Sequence, residues 1–390
     1  MTAFDPSKPY NALPKLPPPI ELETKAVLKK CASVHAALAA LKERGRRIPD
    51  QSVLVNAIPI MEAKDSSAIE NIVTTSDALF REASLKDESG ADPATKEAAR
   101  CRSALYHGFK TLADRPITTR LAVDICTELK AVDLDVRSVP GTKLRNANTG
   151  DVTYMPPEGE TLLRELLANW ERFLNEATEL DPVVRMAVGH YQFEAIHPFI
   201  DGNGRTGRVI NILFLIEQQL LELPTLYLSR YILADRADYY RLLLDVTTKQ
   251  AWEPWILYML DGVENTARWT AAKIGAIHDL IDATVTYVRD AAPKIYTREL
   301  VDVIFMQPYS RIHNVVERGL AHREKASRDL KHLVAIGVLR EVKVGREKVF
   351  LNIRYAKLLN SDSNVFEPFT KIEQMLNRPD DGRRKRRVTP

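Results

Sequence analysis

The densest chemistry in the sequence lies in one segment, His197-Pro198-Phe199-Ile200-Asp201-Gly202-Asn203-Gly204-Arg205-Thr206-Gly207-Arg208. His197, where a helical pattern ends, is a base that titrates near neutral pH. Asp201, four residues on, can hold Mg²⁺ through one oxygen and leave the other positions to phosphates and water. Gly202 and Gly204 remove side chains where a loop enters a helix, so backbone N–H groups can approach a phosphate, helped by the helix N-terminus. Arg205 and Arg208 are three apart, which puts both guanidinium forks on about the same face of the next helix, where they can clamp phosphate oxygens bidentately. Base, metal ligand, anion cradle and cationic clamps together make a kit for phosphoryl or nucleotidyl transfer. A Gly-Asn-Gly turn could simply end a helix, and Asp201 with Arg205 could be a surface pair. Neither reading needs His, Asp and two Arg together.

The elements that must position this segment are mostly helical. Residues 1–20 read as an extended, proline-rich arm. Apolar spacing predicts helices over about 21–48, 52–63 and, with Ile69, Ile72 and Val73, a short helical segment 66–80. Gly, Pro and Asp mark 84–95 as a loop, and helices are expected at 95–113 and 118–130. Residues 138–158 break the rhythm with turn residues and β-prone flanks and read as a hairpin. Helices resume at 160–176, 182–197, 206–221, 236–249, 253–261 and 264–291. Toward the C-terminus a helix near 297–305, a turn at Gln307–Pro308, the basic helix REKASRDLKHLVAIG and two β runs, VLREVKV and EKVFLNI, follow the winged-helix order with Gly345–Arg346 at the tip. The fold class is therefore mainly α, with a hairpin in the core and a C-terminal winged helix.

The segment 197–208 resembles the Fic-family motif at every fixed position: His, Phe two on, Asp or Glu, Gly-Asn-Gly-Arg, and a final Arg. The resemblance implies a Fic-type helical core that uses ATP with Mg²⁺ to move AMP onto a Ser, Thr or Tyr hydroxyl of a protein. On that reading His197 is the base and Asp201 the Mg²⁺ ligand. Gly202, Asn203 and Gly204 hold the α- and β-phosphates, Arg205 contacts the phosphates, Arg208 holds the γ-phosphate, and Phe199 anchors the loop. Upstream, Ser66-Ser67-Ala68-Ile69-Glu70-Asn71 resembles the family's inhibitory pattern of Ser or Thr, three residues, Glu, then Gly or Asn. That implies a Glu70 that pairs with Arg208 and blocks ATP, and that in some members also activates water to remove AMP. Read without the resemblance, Glu70 decorates a helix face. The hairpin 141–157 is similar to the family's flap, which adds the target segment as a strand, although Ala147-Asn148-Thr149 stands at its centre in place of Ile-Gly; a plain structural hairpin is the other reading.

The resemblance divides the chain into an N-terminal segment 1–95, a core 96–265, a linker helix and winged helix 266–355, and a tail 356–390 containing RRKRR. Arg323, Lys325, Arg328, Lys331 and His332, with Arg346 and Lys348, could contact DNA phosphates. Glu324 and Asp329 dilute that face, and a solvated packing or homodimer face suits the same residues. The alternative to an enzyme is thus a winged-helix DNA-binding regulator whose Fic core senses nucleotide. Self-modification is a further outcome for an enzyme that acts on hydroxyl side chains. Composition is that of a soluble globular protein, with 45% hydrophobic and 27% charged residues and a net charge of +3. Cys31, Cys101 and Cys126 are far apart with no ligand spacing, the N-terminus has no apolar leader, and no apolar run suits a bilayer. The expectation is a cytoplasmic protein with no membrane partner.

Overall fold

A computed structural model describes residues 4–85, 90–145, 149–344 and 347–369. In chain order the elements are α1 (Lys25–Arg46), α2 (Ser52–Ile69), α3 (Ser76–Leu85), α4 (Pro93–Thr111), α5 (Thr119–Lys130), β1 (Leu144–Arg145), β2 (Val152–Tyr154), α6 (Glu160–Glu176), α7 (Pro182–Ile196), α8 (Asn203–Glu217), α9 (Leu228–Ala234), α10 (Arg236–Lys249), α11 (Trp252–Ala291), α12 (Arg298–Phe305), β3 (Tyr309–Ser310), α13 (Ile312–Glu317), α14 (Arg323–Ala335), β4 (Leu339–Val344), β5 (Glu347–Asn352) and α15 (Ile353–Asn360). Two compact units result: residues 1–46, 58–75 and 92–271, and residues 47–57, 76–91 and 272–390.

The first unit is built around α7 and α8. Both are buried on every face, as expected for helices whose apolar residues are not confined to one stripe. Trp170 of α6, Phe193 and Phe214 are almost fully enclosed around them. Side-chain caps set several helix starts: Asp92 accepts from Thr95 N–H (2.8 Å), Thr118 from Leu121 N–H (3.2 Å), and Asp181 from Val183 N–H (3.0 Å). Pro93 and Pro182 open their helices at the position where no N–H is needed. The arm is tied down as well. Tyr10 N–H reaches the Met155 carbonyl (2.9 Å), and the Asn169 amide bonds both the N–H and the carbonyl of Leu16 (2.7 and 2.9 Å).

The structure redraws several expected boundaries. α2 runs through Pro59 and Ser66 rather than breaking at 63, and it stops at Ile69 in a Schellman turn. Ile72 N–H reaches the Ser67 carbonyl and Asn71 N–H the Ala68 carbonyl, each at 3.0 Å, with Asn71 at φ 63°. Asn tolerates that left-handed conformation better than most residues, so the chain breaks there. α11 is one helix and not two. Gly262 admits Tyr231, whose Cδ1 lies 2.9 Å from where a Cβ would stand, so this glycine serves packing and not a stop. The short elements α9, α15 and β3 have no periodicity long enough to be read from sequence.

Residues 76–85, inside the expected N-terminal segment 1–95, cluster with the second unit. Leu79, Phe80 and Leu85 of α3 are buried, Tyr309 OH donates to Asp77 (2.5 Å) and Arg81 Nε donates to Tyr309 OH (3.1 Å). Within this unit β5 lies between β3 and β4, antiparallel to both, in register Ser310↔Phe350 and Val342↔Val349. The expected wing tip Gly345–Arg346, the flap centre Ala147–Asn148 and the RRKRR tail lie outside the described residues. The three cysteines are buried and unbridged, and burial pushes their thiols up to about 12 for Cys31 and about 11 for Cys101 and Cys126. Among the described residues no helix is long and apolar enough to cross a membrane.

Lys273 of α11 is fully buried and donates to the carbonyls of Leu358, Ser361 and Ser363 at 2.8–2.9 Å, closing the end of α15. Lys273→Met leaves those carbonyls without their donor. It should lower stability by about 3 kcal/mol, read as a drop in denaturant midpoint; an unchanged midpoint would show that water replaces the ammonium.

Candidate active site

The C-terminus of α7 and the N-terminus of α8 meet across the turn 197–202. His197 takes a left-handed conformation (φ 51°, ψ 60°), and its N–H closes α7 on the Phe193 carbonyl at 3.0 Å. Gly202 caps α8 at φ 88°, where a Cβ would also stand 3.2 Å from Cys126 Sγ. The first ladder bond of α8 runs from Thr206 N–H to the Gly202 carbonyl (3.0 Å), so the N–H groups of residues 203–205 lie outside the ladder. Together with the helix dipole they form an anion site. The Asn203 side chain does something else. Its Oδ1 accepts from Phe199 N–H (2.8 Å) and its Nδ2 donates to the Phe199 carbonyl (2.9 Å), stapling the turn while Phe199 is buried against Phe193. Only the main chain of Asn203 is left for an anion.

The imidazole of His197 is kept neutral. Burial, then Arg137, pull its pKa down to about 4, against the opposite pull of Glu70 and Asp201. Its Nδ1 is buried and has no hydrogen-bond partner among the described residues. A folded pKa below the ordinary value near 6.5 means this contribution to stability is complete above that value and is lost as pH falls toward 4.

Arg208 is 1% exposed, and its fork is occupied. Nη2 donates to Glu70 Oε1 (2.9 Å) and to the Ser66 carbonyl (2.9 Å), and Nε donates to Ser66 Oγ (3.0 Å). Burial opposes the charge of this guanidinium, yet Glu70, Tyr239 and Glu194 outweigh it and hold the pKa above the usual arginine value. Gly204 makes the pairing possible, since a Cβ there would collide with Glu70 Oε1. Asn71 accepts from Arg236 (2.9 Å) beyond the turn that ends α2. Two buried acids seat the same helix: Glu62 accepts from Ser229 N–H (2.9 Å) and Oγ (2.5 Å), and Asp65 accepts from Tyr227 OH. Burial pushes Glu62 up to about 7 and Glu194, one turn before His197, up to about 8.

Arg205 points elsewhere. It is 1% exposed, and its Nη2 pairs with Glu97 Oε1 of α4 (2.9 Å), while its Nε and Nη1 have no partner among the described residues. The same Glu97 oxygen accepts from Lys130 Nζ at the end of α5 (2.9 Å), and Lys130 also reaches Asp201 Oδ2 (2.5 Å). Asp201 remains 63% exposed, with Oδ1 accepting from Gly202 N–H (2.6 Å). Partial burial works against its carboxylate, but Lys130 holds the pKa below the usual range. The two arginines three apart are thus parted by their partners. The sequence reading missed Glu97, Lys130, Arg137, Glu62 and Glu194. Of these, only Glu194 has a local signal, its i,i+3 spacing to His197. In the hairpin, β1 pairs β2 as Leu144↔Tyr154 and Arg145↔Val152 with a bulge between.

The fold and this site define a helical domain with a hairpin and a helix N-terminus of free ladder N–H groups beside a buried histidine. Comparison with known proteins carries the same outline. Residues 28–110 match the Fic/DOC family N-terminal model, 123–215 the Fic/DOC family model, and 280–355 the C-terminal domain of protein adenylyltransferase SoFic-like. The chain belongs to the Fic/DOC family. It is 41% identical over 81 residues to a probable protein adenylyltransferase of Aquifex aeolicus, covering 21% of this chain and 24% of that one. It is 29% identical over 133 residues to protein adenylyltransferase Fic of Drosophila grimshawi, covering 34% and 26%. The matched stretches thus span about a quarter of these relatives' length. A crystal structure of a Fic family protein from Desulfovibrio desulfuricans has the same fold, with TM-score 0.56 at 19% identity over 86% of this chain and 98% of that one.

Asn203→Ala removes both bonds to Phe199 and frees the turn. Stability should fall by about 1–3 kcal/mol, seen as a lower melting temperature; a wild-type melt would show that the turn holds without the staple.

Proposed function

We propose that the chain is a protein adenylyltransferase, moving AMP from ATP onto a Ser, Thr or Tyr hydroxyl of a protein, and that Glu70 holds it inactive. The observation that carries this reading is the anion cradle of α8 set beside a neutral His197, with the fork of Arg208 filled by a carboxylate. Two relatives named protein adenylyltransferase support it. In the reaction the acceptor oxygen attacks the α-phosphorus, its proton passes to His197, and the bond from the α-phosphorus to the bridging oxygen breaks, releasing pyrophosphate. The N–H groups of residues 203–205 and the unpartnered donors of Arg205 take the α- and β-phosphates, and Arg208 takes the γ-phosphate. Asp201 suits Mg²⁺: it is a lone exposed carboxylate beside the cradle, and Mg²⁺ draws its remaining ligands from phosphates and water. The ion would neutralise polyphosphate charge there, and Lys130 holds the same oxygen in its place. On the same reading a displaced Glu70 would activate water for removal of AMP.

We read the second unit as a winged helix from its helix–strand–helix–helix–hairpin order. Arg323, Arg328, Lys331 and His332 are exposed on α14, which favours DNA as a second reading. Nucleotide-dependent DNA binding without covalent label would support it over transfer.

Glu70 competes with the γ-phosphate for one fork and places negative charge against an anionic ligand. Glu70→Gly should therefore raise incorporation of labelled AMP, on the chain itself or on added protein, and tighten ATP binding. Arg208→Ala in that background should be silent. Unchanged incorporation by a folded Glu70→Gly protein rejects the inhibitory role. His197→Ala should cut transfer on the order of 10²–10⁴-fold with ATP affinity retained, and full incorporation by that variant would remove His197 as the base.

A further inference from the structure

At the end of α7 and just beyond it, the carbonyls of Ala195, Ile196, His197 and Pro198 each accept a hydrogen bond from Tyr154 or Arg137. Tyr154 OH of β2 donates to Ala195 (2.9 Å). Arg137 Nη2 reaches Ile196 (3.4 Å), its Nε reaches His197 (2.8 Å), and its own N–H reaches Pro198 (2.8 Å). Arg137 Nη2 also donates to Pro157, where the hairpin rejoins the core, at 2.6 Å. The residue is 3% exposed, and among the described residues no carboxylate pairs with it. A buried cation whose partners are all carbonyls suits the negative end of a helix dipole. Its geometry says more than its charge. The planar fork spans two chain segments at once, the turn that carries His197 and the exit of the hairpin, which a single-nitrogen lysine cannot do.

We infer that Arg137 is a positioning residue that locks the hairpin's exit to the turn bearing His197, so that the strand receiving a target segment and the base that deprotonates it are held as one piece. The inference rests on the reading of His197 as base and of the hairpin as the target-holding flap. The carbonyl of His197 fixes the peptide plane that follows its left-handed backbone, and with it the direction from which the imidazole leaves the chain. Target pairing to the hairpin edge then translates into a defined distance between acceptor oxygen and imidazole. The phosphate cradle on α8 does not touch Arg137, so nucleotide affinity is outside its reach. Arg137 acts on His197 a second way, since its charge, after burial, holds the imidazole neutral, while Glu70 and Asp201 pull the other way.

The experiment uses the full chain carrying Glu70→Gly, with Arg137→Lys or Arg137→Gln added, labelled ATP as donor and the chain itself as acceptor. Hydrogen exchange of the amides of Val152, Thr153, Tyr154, Met155 and Glu158 should quicken by about 10-fold in both variants, with α6 as an unchanged internal reference. Self-labelling at saturating ATP should fall about 10- to 100-fold in both, with ATP affinity kept within about twofold of the parent. The acid limb of the labelling rate should stay in place for Arg137→Lys, which keeps the charge, and move up by about one pH unit for Arg137→Gln. A fold-only role would not separate the two variants in this way. Parental exchange in the hairpin of both variants overturns the inference, and so does faster exchange with an unaltered labelling rate. Absence of label on the Glu70→Gly parent would instead sink the transferase reading, while the exchange data still judge whether Arg137 couples hairpin and turn.

Discussion

Two helix ends of opposite polarity meet across one turn, and the rest of the first unit answers that meeting. α7 delivers carbonyls without ladder partners and α8 delivers N–H groups without them. The carbonyl side is filled from within the protein, by Tyr154 and Arg137, and is thereby rigid. The N–H groups of residues 203–205 stay outside the ladder, and the turn between the two ends is stapled by Asn203. His197 sits on the seam, one residue past the carbonyl end and within reach of whatever the N–H end binds. The two helix ends are completed differently: the carbonyl end by side chains of the hairpin side, the N–H end by none of the ladder bonds of α8.

The charge of Arg208 is enclosed and held by the end of α2. A buried guanidinium needs partners, and without a phosphate Arg208 takes them from Ser66 and Glu70 at the end of α2. A ligand must therefore replace a charge-assisted network rather than fill an empty fork. The lack of a Cβ at Gly204 lets the Glu70 carboxylate come close to the helix start. Glu62 and Asp65, buried on α2, show that the end of this helix is seated by polar contacts of its own, apart from Glu70.

A second chain of charges, Arg205–Glu97–Lys130–Asp201, ties the start of α8 to α4 and α5. Glu97 shares one oxygen between two cations, and Lys130 shares one ammonium between two carboxylates. Charge is balanced along the chain while the carboxylate of Asp201 stays at the surface. The two arginines, adjacent on one helix, thus belong to different networks: Arg208 faces the end of α2, and Arg205 faces Glu97 of α4.

Local chemistry determined what the sequence could announce. The order His, Asp, Gly-Asn-Gly, Arg, Arg fixes a turn, a helix start and a set of reactive groups within a short stretch, and helical periodicity fixes α6, α7 and α10 closely, because each depends on neighbours along the chain. The serine, glutamate and asparagine of 66–71 were legible only through the family resemblance; the structure adds that Asn71 takes the left-handed position that ends α2. Only the tertiary structure decided that α2 continues through Pro59, that residues 76–91 join the C-terminal unit, and that Arg205 and Arg208 part company. Glu97, Lys130 and Arg137 lie far along the chain from the groups they hold, and nothing in their local sequence marks them. Their roles come from packing, which brings distant charges and orphan carbonyls within hydrogen-bond range and, for the buried Arg137, leaves little water as an alternative partner.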